Sequence, residues 1–488
     1  MGFYDITKEM LNKTMTEKGD RAYKTTGSAC LDYFSIIGAM RYNLDDAYKL
    51  FIKSYFEDPI LTIKILFYIR DIKEGLGERN LFRVAMNTLS CMYPDVASAI
   101  IKYIPQYGRY DDLLVCLGTP VEKDLIEMIS NQLEEDLNNK KEGKPISLLS
   151  KWLPSINTSS QETRDIAKKL SKALGYTYEE YRKVLSTLRK GIIIENNLRL
   201  KDYTFEYEKT PGGAMMKYRK AFFRNDSDRY VQYLNAVSNG EAKMNTKNLY
   251  PYEIIRALED NYAMDDKEKQ SLDIMWKNFD RSEINSKTIV VRDGSGSMYD
   301  GYSVQAIDVA TSLAILFAEQ LTGEFKNKFI TFASRPRLVE IKGETIYDKH
   351  KYISAFNAIS TTNIKAVYDL ILSVYKSEKF SKEDALDRIV IISDMQFDAL
   401  PKQDISTYEY FKKEFNNLGY EIPEVVFWNV RARDIQFPVM NENNVKLVGG
   451  ASHKIIEDII KNKDTTPYEF MLECLEKYSF VEEVLKNK

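Results

Sequence analysis

The chain changes its hydrophobic period once, near residue 285, and that single switch limits the architectures open to it. Before the switch, apolar residues recur at helical spacing. Leu44, Ala47, Tyr48, Leu50 and Phe51 fall on one face, and Pro59 opens a second helix over 60–70. Glu74-Gly75-Leu76-Gly77 ends that helix, and a third is predicted over 79–89. Pro94 opens another with Val96, Ile100, Ile101 and Ile104, and Asp111-Asp112 caps the apolar run 113–117. Short helices broken by Gly or Pro every 15 to 20 residues predict stacked helix pairs, a HEAT-like α-helical repeat arc or ring over residues 1–285. Gly75-Leu76-Gly77 has neither a third glycine nor a preceding strand, so it reads as an interhelical turn rather than a phosphate loop.

After the switch, five apolar runs carry strand signals: 288–291, 328–332, 388–393, 424–430 and 445–448. Helical stretches over 303–321 and 366–375 alternate with them. Alternation of this kind predicts a doubly wound, Rossmann-like α/β domain over 286–488, with ligands at the carboxyl ends of its strands. The fold class is therefore α followed by α/β.

Composition excludes several chemistries. Only two histidines occur in 488 residues, His350 and His453, which rules out HExxH zinc hydrolysis and histidine-rich metal cages. Cys30, Cys91, Cys116 and Cys474 form no CxxC pair, so free thiols in a reducing compartment are expected. No run approaches 18 uncharged apolar residues and the first twenty are rich in charge, so the expectation is a soluble cytoplasmic protein with neither membrane span nor secretory signal. No Walker A sequence occurs, and no nucleotide cofactor is expected. Net charge is −3, yet residues 141–250 hold 21 Lys/Arg against 12 Asp/Glu and many tyrosines and phenylalanines. A basic, aromatic section in an acidic chain reads either as a nucleic-acid surface or as a helical core with a solvated rim.

The chemistry-bearing feature is Asp293-Gly-Ser295-Gly-Ser297, directly after an apolar strand and before a helix. One carboxylate and two hydroxyls at alternate positions of one loop can converge on a hard cation, Mg2+ or another divalent ion. Asp394, at the end of a later apolar strand, and Thr362, just before a helix, are placed by this topology to complete the set. The competing reading is a helix N-cap whose serines satisfy backbone donors.

The segment Thr288-Ile-Val-Val-Arg-Asp-Gly-Ser-Gly-Ser-Met298, with Thr362 and Asp394, resembles the metal-ion-dependent adhesion site of von Willebrand factor A domains. The resemblance implies that Asp293, Ser295, Ser297 and Thr362 ligate a cation directly or through water, that Asp394 acts through water, and that a partner's carboxylate fills an open position. Arg292 departs from the pattern, since that position is usually apolar. It is expected to pair with an acidic neighbour such as Asp394, to weaken the metal or to face a polar ligand.

Elsewhere, Arg70-Asp-Ile-Lys-Glu-Gly-Leu-Gly-Glu-Arg79, Gln106-Tyr-Gly-Arg-Tyr-Asp-Asp-Leu-Leu114, Leu148-Leu-Ser-Lys-Trp-Leu-Pro154, Tyr181-Arg-Lys-Val-Leu-Ser-Thr-Leu-Arg189 and Ser393-Asp-Met-Gln-Phe-Asp398 resemble an uncharacterised domain-of-unknown-function family. Its layout is similar to the TROVE module of Ro ribonucleoproteins. That likeness implies a non-catalytic, RNA-binding scaffold whose partner is structured RNA with a single-stranded end. Arg182, Lys183, Arg189, Lys190, Lys217, Arg219, Lys220 and Arg224 would then meet phosphates, with Arg199 and Arg229 beside them, and exposed tyrosines would stack on bases. The alternative is a metal-dependent protein-interaction module, a structural or packaged protein in the case of a viral source. A metal-dependent phosphohydrolase comes last, for want of a general base.

Overall fold

The computed structural model describes the chain apart from residues 1, 192–193, 261–263, 300–301, 358–361, 400–404, 462–463 and 487–488. Up to Lys277 the described residues are mainly helical, as the periodicity predicts. Local chemistry sets the helix ends. Asn43 accepts from the Asp46 amide to start Leu44–Glu57, and Asp58 caps Pro59–Arg70, whose proline sits where no amide is needed. Thr177 and Glu180 form a reciprocal capping box on Tyr178–Leu188.

One early element departs from the helical reading. Lys13–Met15 (β1) and Arg21–Tyr23 (β2) form an antiparallel hairpin. Three-residue strands carry too little alternation to be read from sequence.

The second part contains a six-stranded sheet of Thr288–Asp293 (β3), Lys328–Phe332 (β4), Leu338–Glu340 (β5), Arg388–Ser393 (β6), Glu424–Asn429 (β7) and Val445–Gly449 (β8). Their spatial order is β5-β4-β3-β6-β7-β8, all neighbours being parallel except the antiparallel β4–β5 edge. Strands β3, β6, β7 and β8 are buried along their whole length, which is why they read as continuous apolar runs rather than alternating ones. The edge strand β5 escaped the sequence reading because it is three residues long and half exposed.

The two parts interlock. Helix Ala29–Ile36 packs on β8, Pro251–Glu259 on Ala306–Gln320, and the C-terminal Phe480–Leu485 on Pro59–Arg70 and Pro94–Ile100. At one crossing Gly38 lies so close to Gly449 that an added Cβ would stand 2.3 Å from the Gly449 carbonyl oxygen, which only glycine tolerates. Among the described residues no helix is long and apolar enough to cross a membrane.

Candidate functional site

From β3 the chain runs outward to β4 and later returns on the other side as β6, so the sheet's topological switch point lies between β3 and β6. In an open parallel sheet that crevice is where ligands bind. Asp293 ends β3, Ser393 ends β6, and Asp394 follows directly. Both carboxylates are buried.

The Asp293 oxygens are held from two sides: the Ser295 amide donates to Oδ1 at 2.9 Å and the Ser393 hydroxyl to Oδ2 at 2.6 Å. The hydroxyls of Ser295 and Ser297 lie 2.9 Å apart. Thr362 is fully buried just before helix Ile364–Tyr375 and donates to the Gln396 carbonyl at 2.7 Å. Asp394 Oδ1 accepts the Gln396 amide at 3.3 Å, helped by the left-handed turn at Met395 (φ 61°). Asp394 Oδ2 is buried and makes no hydrogen bond among the described residues; its nearest cation is the Arg433 guanidinium, 3.9 Å away. Burial, with the Asp394 charge adding to it, pushes the Asp293 carboxyl up to about 6.

These atoms fit a hard divalent cation. A buried carboxylate oxygen without a hydrogen bond is costly unless something pairs with it, and the neighbouring donors are all oxygens. Among the described residues no three His, Cys, Asp or Glu side chains are grouped so as to hold a metal ion by themselves, so any cation here leans on hydroxyls as well as carboxylates.

Arg292 does not pair with Asp394. Successive residues of a strand face opposite sides, so Arg292 points away from the Asp293 face. It donates to the Thr311 hydroxyl at 3.0 Å and to Asn357 Oδ1 at 2.6 Å, and burial lowers its pKa to about 10. The basic groups beside the site come from elsewhere. Arg433 and Arg431 donate to the Ser297 carbonyl at 3.0 and 3.4 Å, and Lys18 of the β1–β2 loop donates to the Thr362 hydroxyl. Lys18 and Thr362 are 344 residues apart, and nothing in the sequence links them.

The basic section divides. Arg189 spends its guanidinium inside the protein, on the carbonyls of Ser150 (2.7 Å) and Leu153 (2.6 Å) and the Ser155 hydroxyl (2.5 Å). Arg219 is half-buried and donates to the Met216 carbonyl at 2.7 Å. Burial lowers the pKa of both. The Arg189 guanidinium is spent on these three acceptors, whereas Arg219 Nε has no hydrogen-bond partner. Lys183 pairs with Glu179 at 2.9 Å, Arg229 with Asp226 at 3.2 Å, and Lys220 stands 3.9 Å from Glu268. Lys217 lies over the Tyr218 ring. Arg182, Lys190, Arg199 and Arg224 are exposed. Many of the aromatics of this section pack together: Tyr203, Phe205, Tyr207, Phe222, Phe223 and Tyr230 form one chain of ring contacts. Tyr178 is exposed.

Residues 287–482 match a domain of unknown function (DUF7788), and residues 16–118 and 159–281 match a second domain of unknown function (DUF2828). Over 510 aligned positions the chain is 30% identical to an uncharacterized protein of Acanthamoeba polyphaga mimivirus, covering 96% of this chain and 88% of that protein. Among solved structures, the Deinococcus radiodurans RO (RSR) protein aligns over 89% of this chain and 93% of its own, at 12% identity and a TM-score of 0.40.

Proposed function

The chain belongs to the family of that uncharacterized mimivirus protein, and on this footing we propose that it is a non-catalytic binding scaffold with a divalent-cation site of the von Willebrand A type. Asp293, Ser295, Ser297, Thr362 and Asp394 would hold Mg2+ or a similar ion, which supplies a Lewis-acidic position for a partner's carboxylate. The observation that carries this reading is the buried, unbonded Asp394 Oδ2 at the sheet's switch point. A scaffold is favoured over a hydrolase because both carboxylates are taken as cation ligands. Of the two histidines, His350 lies 3.0 Å from Glu259, and His453 is buried against the Phe279 ring, where burial lowers its pKa to about 3. The test is thermal unfolding with and without Mg2+. A ligand at a hundred times its Kd adds about 2.7 kcal/mol of stability. The wild type should gain on that scale and Asp394→Asn should not.

RNA binding is the second reading, favoured by the exposed cations of Arg182, Lys190, Arg199 and Arg224 in a section that is basic overall. Its support is charge and reach, which is what phosphate contact requires. A structured RNA with a single-stranded tail, titrated against salt, tests it. Submicromolar binding with a steep salt slope, lost on reversing Arg182, Lys190 and Arg224, supports the reading. Weak binding that ignores the reversal ends it.

A further inference from the structure

The loop joining β1 and β2 is sewn to the carboxyl edge of the sheet. The Thr16 hydroxyl donates to the Phe397 carbonyl at 2.7 Å, and the Glu17 amide to Gln396 Oε1 at 2.9 Å. The Ala399 amide donates to the Lys18 carbonyl at 3.1 Å, Gly19 bridges to Asp398, and the Thr407 hydroxyl donates to Asp20 Oδ1 at 2.8 Å. These partners follow Asp394 directly in sequence or flank the next helix, so the loop's position is tied to that of the site.

Fixed in this way, the loop delivers two charged side chains. The Lys18 ammonium donates to Thr362 Oγ1, and its charge partly offsets the burial that raises the pKa of the nearby Asp398 carboxyl. Glu17 lies 3.3 Å from Arg433, which itself donates to the Ser297 carbonyl and approaches Asp394. Thr362 gives its own proton to the Gln396 carbonyl, so only its lone pairs remain for a cation. An ammonium already uses one of them.

We propose, resting on the cation reading above, that Lys18 is a built-in competitor for the divalent ion at Thr362. A divalent ion on the same oxygen would sit within a few ångströms of a fixed ammonium, and like charges at that range repel strongly in a partly buried site. Direct ligation by Thr362 and the Lys18 contact therefore exclude one another. Without a cation, the Lys18 ammonium occupies the Thr362 hydroxyl, and Arg433 stands 3.9 Å from Asp394. Cation binding has to lift Lys18 away, so the hairpin sets the affinity of a site on the far side of the sequence.

The experiment is Mn2+ binding to the full chain, read from the electron paramagnetic resonance signal of free Mn2+, for wild type, Lys18→Met, Lys18→Gln and Lys18→Arg. Losing the charge in the Met and Gln variants should tighten binding roughly tenfold, while Arg, which keeps it, should stay near wild type. Equal affinity in wild type, Met and Gln variants overturns the competitor and leaves the cation site standing. Tightening by Arg as large as that by Met also overturns it, because charge would not be the cause. Absence of Mn2+ binding in all four removes the cation reading and the competitor together.

Discussion

The two ends of the sheet treat buried charge in opposite ways. At the amino ends of the strands, Arg388, Glu424 and Lys446 are all buried and joined in one cluster. Arg388 donates to Glu424, and the Lys446 ammonium lies 2.8 Å from the same carboxylate. Two cations share one anion there, and Lys446 also donates to the Ile459 carbonyl at 2.9 Å. At the carboxyl ends, Asp293 and Asp394 face each other's charge, and the nearest cation to Asp394 stands 3.9 Å away. The first set joins opposite charges within hydrogen-bonding reach, leaving Arg388 Nη1 without a hydrogen bond; the second brings two like charges together and leaves Asp394 Oδ2 without one. A charged group is informative about function when its surroundings leave it unfinished.

The comparison is most exposed to Glu424→Gln. Removing the anion leaves Arg388 and Lys446 buried without it, which should cost about 3–5 kcal/mol of stability in urea unfolding. Asp394→Asn at the other end should cost less than about 1 kcal/mol without metal, because it relieves an uncompensated charge. Similar losses at both ends would erase the distinction. Next in size is Arg189→Ala, expected to lower stability by about 2–3 kcal/mol by stranding two carbonyls and a hydroxyl. Arg182→Ala, on the exposed face of the same stretch, should stay within about 0.5 kcal/mol.

Asp308 sharpens the contrast through pH. It lies at the start of helix Ala306–Gln320 against Pro251–Glu259, and burial raises its pKa from 3.8 to about 6 despite Arg256 at 3.5 Å. Between pH 4 and 6 the folded form therefore holds a proton that the unfolded chain has released. Stability from this group is complete below pH 4 and is lost as pH rises through 6. Asp308→Asn should raise stability at pH 7 by about 1–3 kcal/mol and flatten the pH 4–6 slope in unfolding curves. The smallest effect belongs to the exposed cations. Reversing Arg182, Lys190 and Arg224 should leave stability within about 0.5 kcal/mol while lowering the salt slope of any RNA binding by about 0.7 per lost phosphate contact.

Much of this was legible in the sequence. The four fully buried strands and the helical first part followed from hydrophobic period, and Asp293, Ser295, Thr362 and Asp394 did fall at strand ends or just before a helix. Covalent spacing and strand topology place such residues together, so a local string carries the information. Of the alternatives open for Arg292, pairing with Asp394 is the one the structure does not show: the pleat turns Arg292 to the face opposite Asp293, where it meets Thr311 and Asn357. Arg189 looked like any other arginine of a basic helix. Its three acceptors lie in a turn more than thirty residues earlier, and charge counting does not see acceptors. Lys18, Glu17 and Arg433 reach the site by tertiary contacts that no short-range pattern encodes.

The most direct test of the central claim is isothermal titration of the full chain with Mn2+ and Mg2+, beside Asp394→Asn. One ion bound per chain, with affinity reduced at least about a hundredfold in the variant, is the predicted result. Heats indistinguishable from buffer at millimolar metal, or equal binding by Asp394→Asn, would contradict it.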